Sequence, residues 1–157
     1  MKKISVVKSA IHGRGLVAKE PIKKGEFIGT IKGPVMYKVN KTIKDTFSHP
    51  DWVGFKKNYW TDPLPPAKYL NHSCEANSGI KGTRTLHAVK DIKEGEEVTI
   101  DYSTTELDLN WFLDCQCSSK KCRNKVTSIQ NLPKEVFNSY LPFVPTYNKT
   151  YYIKYCT

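Results

Sequence analysis

Short runs of alternating apolar and polar residues recur along this chain. The clearest are Glu26–Ile31 and Glu97–Ile100, whose alternation is typical of half-buried β-strands. Each run follows the same pattern, Ala-x3-Ile-Lys-x-Gly-Glu, which starts at Ala18 and again at Ala88, 70 residues later. The glycine of each copy stands where a turn needs a permissive backbone. Two copies are too few for a repeat array, so the pattern predicts two similar turns leading into strands of an all-β or mostly β domain.

Prolines and tyrosines mark the less regular parts of the chain. Five prolines interrupt residues 34–66, which argues against long regular elements there, although Lys41–Phe47 fits one or two helical turns. Leu132–Tyr140 favours a short helix, because Pro133 is tolerated in a first turn. The Tyr-rich segment Tyr147–Tyr155 is compatible with a strand or with docking across an open site.

The length of 157 residues fits one domain with a single core and a short appendage. No apolar run approaches the roughly 18 residues of a membrane-spanning helix. The apolar stretch near the N-terminus is also too short for a secretory signal. We therefore expect a soluble, intracellular protein.

The net charge of +10 is concentrated in the first part of the chain. Residues 1–68 carry fourteen Lys and Arg against five acids, which indicates either a polyanionic partner such as nucleic acid or simply a Lys-rich surface. Residues 91–114 reverse the balance, with eight acids against one lysine. This stretch is compatible with a patch that attracts a basic peptide, while solvated turns and strand ends are the alternative.

Three of the five cysteines lie within eight residues, at Cys115, Cys117 and Cys122. This spacing is too tight for a disulfide framework, whereas zinc requires several thiolates brought together in one small loop. The sequence therefore predicts a metal site, with reduced structural or redox cysteines as the alternative. Spacing alone leaves the fourth ligand open among four residues: Cys74, Cys156, His72 and His87.

Three further motifs carry little information singly. The Gly-x-Gly of His12–Gly15 allows a tight turn and a close approach to a ligand, but it lacks the further residues of a nucleotide-phosphate site. Asn71-His72 alone is typical of a polar turn, and Tyr102 alone is typical of a strand end.

The motifs occur in a fixed order, and together they resemble the SET-domain lysine methyltransferases. Lys68–Asn77 is similar to the family motif Arg-Phe-x-Asn-His-Ser-Cys-x-Pro-Asn, and Gly95–Tyr102 is similar to Gly-Glu-Glu-Leu-Thr-Tyr/Phe-Asp-Tyr. With the Gly-x-Gly at the start and the cysteine cluster at the end, the resemblance runs from about His12 to Arg123.

This resemblance implies a mostly β SET-domain fold, similar to a β-clip, of several small sheets with short helices. A C-terminal segment would be threaded through it like a pseudoknot and held by a zinc-stapled post-SET segment. We expect the SET domain in residues 1–108 with a variable insert at about 34–66, the post-SET zinc segment in 109–125, and a C-terminal extension in 126–157.

The resemblance also implies two cofactors, S-adenosylmethionine and one structural zinc ion. The cofactor-binding residues would be His12, Gly13, Arg14, Gly15, Lys68, Tyr69, Asn71 and His72. Ile100 and Tyr102 would line the substrate channel, with Tyr102 as the catalytic residue. The zinc ligands would be Cys74, Cys115, Cys117 and Cys122.

The implied activity is S-adenosylmethionine-dependent methylation of protein lysines, and the expected substrates are histone tails or other basic chromatin-associated proteins. The acidic stretch suits such a substrate, and the basic N-terminal part suits contact with its DNA. We expect a chromatin location in a eukaryotic or viral setting, and otherwise the cytoplasm or a host cell. The alternatives are a catalytically silent zinc-stapled module that binds basic peptide or nucleic acid, and a DNA-binding protein that uses His12–Gly15 as a minor-groove hook.

The chain departs from the family pattern at three positions. Ile100 stands where the family often has Tyr or Phe, and because Ile cannot form a hydrogen bond we expect that di- or trimethylation is possible. Ala76 replaces the usual Pro, which should loosen that turn slightly. Asn124 replaces a usual Gly, a mild change because Asn tolerates the left-handed backbone region.

Overall fold

A computed structural model describes residue 1, residues 3–38 and residues 51–156. Residues 2, 39–50 and 157 lie outside the described part, and with them the helical turn predicted for Lys41–Phe47. The strands of the described residues are β1 Ile4–Lys8, β2 Arg14–Ala18, β3 Phe27–Thr30, β4 Val35–Tyr37, β5 Val53–Lys56, β6 Tyr59–Thr61, β7 Asn71–His72, β8 Ser78–Lys81, β9 Thr85–Ala88, β10 Glu97–Ile100, β11 Phe112–Asp114 and β12 Lys125–Thr127. Within the same described residues, the α-helices are α1 Lys134–Tyr140 and α2 Thr146–Tyr155, and three short 3₁₀ helices cover Ala67–Tyr69, Tyr102–Thr104 and Ile129–Asn131.

The strands form small sheets, which confirms the mostly β prediction. One sheet has the order β1-β2-β10-β7, two others have the orders β3-β9-β8 and β4-β6-β5, and β11 pairs with β12. The described strand pairs are antiparallel except β10 with β7, which is parallel. This two-residue parallel pairing places β7, residues 71–72, at the edge of the sheet beside β10.

The two copies of the repeated turn pattern lie against each other. Ile22 and Ile92 exchange both backbone hydrogen bonds, at 2.9 and 2.8 Å. The N–H of Gly25 donates to the first alanine of the other copy at 2.8 Å, and the N–H of Gly95 does the same in the opposite direction at 2.8 Å. Both glycines have positive φ, 83° and 77°, as the pattern predicts. The repeat is thus a local twofold that joins the two sheets.

Two groups of buried side chains form the core. The larger lies between the sheets and includes Leu16, Ile22, Leu86, Ile92 and Val98. The smaller is built mainly by the C-terminal extension and contains Ile129, Leu132, Phe137, Tyr140, Val144 and Tyr152, together with Ala76. Because Ala76 belongs to the turn after β7, the extension packs directly behind the Asn71–Asn77 segment.

The C-terminal extension is more ordered than its sequence suggests. Helix α1 confirms the helix predicted there. The Tyr-rich segment forms helix α2, so the strand, one of its two alternatives, is wrong. Pro145, whose fixed φ suits a helix start, precedes the first turn of α2. The helix docks on its own domain, because Asn148 donates to Thr104 O at 3.1 Å and Tyr152 to Leu132 O at 2.7 Å. Neither described α-helix has the length and apolar character needed to cross a membrane.

Substituting the two repeat glycines tests the local twofold. Outside the chain neighbours, no heavy atom lies within 4 Å of a Cβ built at Gly25 or Gly95, so alanine would cost only its left-handed backbone conformation. We expect Gly25→Ala and Gly95→Ala each to lower the free energy of unfolding in urea by about 1–2 kcal/mol. Gly25→Asn should lower it less, since Asn adopts this conformation more readily. A loss confined to one copy would contradict the equivalence of the two turns.

Candidate active site and metal centre

The parallel pairing of β7 with β10 brings two distant motifs together. Asn71 lies opposite Thr99 and His72 opposite Ile100, and the N–H of Ser73 donates to Ile100 O at 3.1 Å. The chain leaving β10 then turns into the 3₁₀ helix that begins at Tyr102. The His72 and Tyr102 rings consequently lie with their centroids 5.3 Å apart.

A cleft of about 470 Å³ opens beside this pairing, a size typical of cofactor sites. Seven of the eight predicted cofactor residues line it: His12, Gly13, Arg14, Lys68, Tyr69, Asn71 and His72. Tyr102 lines it as well, and residues 113–117 form a wall that the sequence did not indicate. The cleft therefore lies between the Gly-x-Gly turn, the Asn-His strand and the first two clustered cysteines.

Two predicted residues lie outside the cleft lining. Gly15 faces Glu97, and a Cβ at Gly15 would collide with that carboxylate, so this glycine makes room for a protein group. Ile100 is buried in the larger core group, against which Tyr102 also packs. Ile100 and Tyr102 thus belong to the same packed region, and Ile100 does not line the cleft.

The Asn71 side chain holds the Gly-x-Gly turn in place. Its Nδ2 lies 3.1 Å from His12 O, 3.0 Å from Arg14 O and 2.8 Å from Glu97 Oε1. The Glu97 carboxylate also accepts from the Ser9 hydroxyl at 2.9 Å, and Ser9 Oγ accepts from two N–H groups of the same turn. Glu97 and Ser9 therefore hold the Gly-x-Gly turn beside the cleft. Glu97 belongs to the Gly95–Tyr102 motif, whereas no local sequence motif identifies Ser9.

The Tyr102 hydroxyl donates to Leu70 O at 2.8 Å. Burial raises the pKa of Tyr102, and the nearby Asp51 and Glu97 carboxylates raise it further. The phenol therefore remains protonated at neutral pH, and its proton is committed to a backbone carbonyl. The oxygen lone pairs of Tyr102 remain as acceptors for a ligand in the cleft.

His72 connects Tyr102 with the cysteines. Its Nδ1 accepts from the Tyr102 N–H at 3.2 Å, and its Nε2 lies 3.3 Å from Cys74 Sγ. Burial lowers the pKa of His72 to about 4, although the Asp101 charge opposes this, so the ring is neutral at pH 7. Because Nδ1 accepts, the single ring proton belongs on Nε2, which faces the sulfur.

The clustered cysteines converge on Cys74. The ligand atoms of His72, Cys74, Cys115 and Cys117 all lie within 4.8 Å of one another, and the Cys74 and Cys115 sulfurs are 3.7 Å apart. Cys122 lies within hydrogen-bonding reach of Cys115 but outside that compact group. Such a set of thiols and imidazole is the donor chemistry that zinc prefers.

The other two candidate metal ligands lie elsewhere. His87 Nδ1 lies 3.1 Å from Gly25 O, and the ring stacks on Phe143. Cys156 packs against the C-terminal core group. If Cys74, Cys115 and Cys117 are three of the ligands, the geometry leaves His72 and Cys122 as the two candidates for the fourth.

The thiols of the cluster differ in acidity. Burial raises the pKa of Cys74 to about 11. Burial also acts to raise the pKa of Cys117, but hydrogen bonds, first that from the Cys74 N–H, lower it to about 6. A crowded group of sulfurs with one readily formed thiolate is suited to a thiophilic cation.

A buried ion pair joins the cysteine segment to the β10–Tyr102 turn. Arg123 contacts Asp101 through both of its terminal nitrogens, at 2.8 and 2.7 Å, and the Asp101 side chain is fully buried. The Arg123 N–H also lies 3.4 Å from Cys74 Sγ. No local motif predicts this pair, because the two charges are 22 residues apart and belong to different motifs.

The acidic stretch 91–114 does not form one surface patch, which corrects that expectation. Asp101 pairs with Arg123, and Glu97 accepts hydrogen bonds from Asn71 and Ser9. Glu106 is buried and accepts from the Trp60 indole at 3.0 Å. Asp91 lies at the surface beside Lys23 instead. Most of these carboxylates stabilise the fold, whereas Asp114 does line the cleft.

Residues 13–103 match the model of the SET domain. The chain belongs to the SET-domain family. The match ends directly after Tyr102, so the SET model contains the Asn-His strand and the β10–Tyr102 turn. The cysteine cluster and the C-terminal extension lie beyond it.

Curated relatives of this SET-domain chain are histone-lysine methyltransferases. Human histone-lysine N-methyltransferase 2B is 32% identical over 135 aligned positions, which cover 76% of the chain and 5% of that protein. Histone-lysine N-methyltransferase ASHH3 of Arabidopsis thaliana is 29% identical over 160 positions, covering 88% of the chain and 43% of that protein. The chain thus spans less than half the length of either relative.

Solved structures share the fold. The crystal structure of KRYPTONITE in complex with mCHG DNA and SAH superposes with a TM-score of 0.61 at 20% identity, covering 78% of this SET-domain chain and 28% of that one. The methyltransferase domain of human SETMAR superposes with a TM-score of 0.59 at 23% identity, covering 80% and 58%. These likenesses establish the SET fold that the sequence predicts.

Removing the arginine of the buried pair tests its importance for the site. Arg123→Met leaves the Asp101 carboxylate buried without its cation, and we expect the free energy of unfolding to fall by about 3–5 kcal/mol. The exposed pair of Lys23 and Asp91, at 3.0 Å, is the matched control, and Lys23→Met should cost less than about 1 kcal/mol. Urea denaturation measures both. Similar small losses in the two variants would show that Asp101 is satisfied without Arg123.

Proposed function

We propose that this SET-domain protein is an S-adenosylmethionine-dependent protein-lysine N-methyltransferase. The observation that carries the proposal is the position of Tyr102, which lines the same cleft as seven of the eight residues expected to hold the cofactor. Family membership and relatives named as histone-lysine methyltransferases support the same activity.

The residues of the cleft fit the proposed cofactor. Arg14 and Lys68 would provide positive charge for its carboxylate, and Asp51 and Asp114 would provide negative charge for its sulfonium. The Arg14 guanidinium lies 3.9 Å from the centre of the Tyr69 ring, which holds both side chains at the wall. When bound, S-adenosylmethionine supplies a methyl group activated by its sulfonium.

The chain's own groups would align and desolvate the lysine. A free lysine has a pKa of about 10.4 and is protonated at neutral pH, whereas only the neutral amine attacks a methyl group. A desolvated channel beside a cation lowers that pKa. Tyr102 keeps its proton, which forms a hydrogen bond to Leu70 O. We therefore propose that the Tyr102 oxygen orients the amine as an acceptor and does not act as the base. Alignment of the two reactants supplies most of the acceleration.

We propose one structural zinc ion bound by Cys74, Cys115, Cys117 and Cys122. The compact group contains His72 in place of Cys122, so the tautomer of His72 bears on the choice. Nδ1 of His72 accepts from Tyr102, which leaves the proton on Nε2, and a protonated nitrogen cannot ligate a metal. It can donate to the Cys74 thiolate, as groups outside the ligand set commonly do. This supports Cys122 as the fourth ligand.

The proposed substrate is a basic protein, with histone tails as the leading candidate because the curated relatives are histone-lysine methyltransferases. A chromatin location would follow from such a substrate. The basic N-terminal part remains our candidate for a DNA contact, although Lys3 and Lys23 already pair with acids of the domain.

We also propose that more than one methyl group can be transferred. Ile100 packs in the core group that Tyr102 also contacts and brings no hydroxyl to the channel, so it cannot hold a water that would crowd a methylated amine. Products that stop at monomethyl-lysine under saturating cofactor would contradict this.

The activity is tested by incubating the protein with S-adenosylmethionine and core histones, followed by mass spectrometry of the histones. We expect gains in methyl units on lysine, and a loss of about 100-fold in rate for Tyr102→Phe, because the variant loses the oxygen that orients the amine. Calorimetric titration with S-adenosylmethionine should show that the variant still binds the cofactor.

The wild-type protein binding cofactor without transferring methyl groups to any basic protein would favour the alternative of a silent, zinc-stapled binding module. Undiminished transfer by Tyr102→Phe would remove the proposed role of Tyr102 while leaving the activity itself standing.

Metal content distinguishes the two ligand sets. We expect one zinc per chain in the wild type, loss of zinc in Cys122→Ser, and retained zinc in His72→Gln. Cys156→Ser is the matched control, because Cys156 lies in the C-terminal core group, and it should keep its zinc. Elemental analysis of the purified variants measures all four. Retention in Cys122→Ser together with loss in His72→Gln would show that His72 is the fourth ligand.

A further inference from the structure

A tyrosine of the C-terminal extension reaches into the turn that follows the Asn-His strand. The buried Tyr140 hydroxyl accepts from the Ala76 N–H at 3.0 Å and lies 3.3 Å from Cys74 O, to which it donates. One side chain thus satisfies two backbone groups of this turn.

The Ala76 N–H that pairs with Tyr140 is present because the chain departs from the family motif at this position. Where the SET motif has proline, this chain has Ala76, and proline has no N–H. Ala76 is buried, so its N–H requires an acceptor inside the protein. Tyr140 lies beyond the matched SET residues and provides that acceptor.

The extension is held firmly enough to restrain the turn. Tyr140 lies at the end of α1 within the C-terminal core group, which is anchored at two other points of the domain. The N–H of Ile80 donates to Phe143 O at 3.1 Å, and Asn148 donates to Thr104 O at 3.1 Å. The rest of the extension therefore holds the Tyr140 hydroxyl in place, and this hydroxyl contacts the turn at both Cys74 and Ala76.

We propose that Tyr140 is a positioning residue that restrains the turn carrying Cys74, in place of the proline that the family motif has at position 76. Cys74 is two residues from His72, whose Nδ1 accepts from Tyr102, so the restraint extends along one path from α1 to the cleft. The effect on metal and catalysis rests on the function proposed above, whereas the restraint of the turn does not.

A double-mutant comparison tests the proposal. Tyr140→Phe removes the acceptor and leaves the Ala76 N–H buried without a partner. Ala76→Pro removes the N–H itself, so it should rescue Tyr140→Phe when the two are combined. Tyr152→Phe is the matched control, because it removes another buried hydroxyl of the same core group, one that bonds to Leu132 O and does not touch the turn.

The first measurement is hydrogen exchange. We expect the Ala76 amide to exchange at least tenfold faster in Tyr140→Phe than in the wild type, and within about twofold of wild type in Tyr152→Phe. This result depends on neither metal nor methyl transfer. Unchanged exchange in Tyr140→Phe, or equal acceleration in the two variants, would overturn the proposal.

The second measurement is function. Zinc release to a chromogenic chelator should be about tenfold faster in Tyr140→Phe, kcat should fall more than KM rises, and Ala76→Pro should restore both in the double variant. Tyr152→Phe should lose a comparable amount of thermal stability but keep its zinc-release rate. Additive effects without rescue would overturn the proposal. If the wild type neither holds zinc nor transfers methyl groups, the proposed function fails, and the exchange result alone decides the role of Tyr140.

Discussion

The site depends on a parallel contact of two residues in each strand, β7 on β10. Everything else at the cleft is attached to one side of this contact or the other. Asn71 fastens the Gly-x-Gly turn to it, and the His72 ring receives the Tyr102 N–H across it. So short a pairing provides few hydrogen bonds of its own. It is therefore stabilised from outside, by the buried pair of Asp101 and Arg123 on one side and the C-terminal extension on the other.

The local signals in the sequence were sufficient for the fold and for much of the cleft. A turn glycine, a β alternation or a short motif is carried by neighbouring residues. Both repeat glycines therefore have the expected positive φ, and seven of the eight residues predicted to bind the cofactor line one cleft. The partners of Glu97, Asp101 and Glu106 could not be predicted in this way. Their side-chain donors come from remote parts of the chain, and charge composition does not reveal whether a carboxylate is buried or exposed.

A similar reason explains why the Tyr-rich segment forms helix α2, although a strand was one of the alternatives for it. Tyrosines favour strands when their neighbours are considered alone, but Pro145 starts a helix and Tyr152 finds its place only against Phe137, with ring centroids 3.9 Å apart. Gly15 is a related case, since its small size serves a carboxylate from β10 and not a ligand. In each case the deciding contact lies outside any local sequence window.

The threading of the chain also has a kinetic consequence. The Gly-x-Gly turn near the start of the chain is completed by residues 71–72, 97 and 113–117, and its support arrives with Tyr140. Contacts between residues so far apart close late and fold slowly. During synthesis, the cleft cannot be complete until the cysteine segment has left the ribosome, and its support at the Cys74–Ala76 turn follows only with α1.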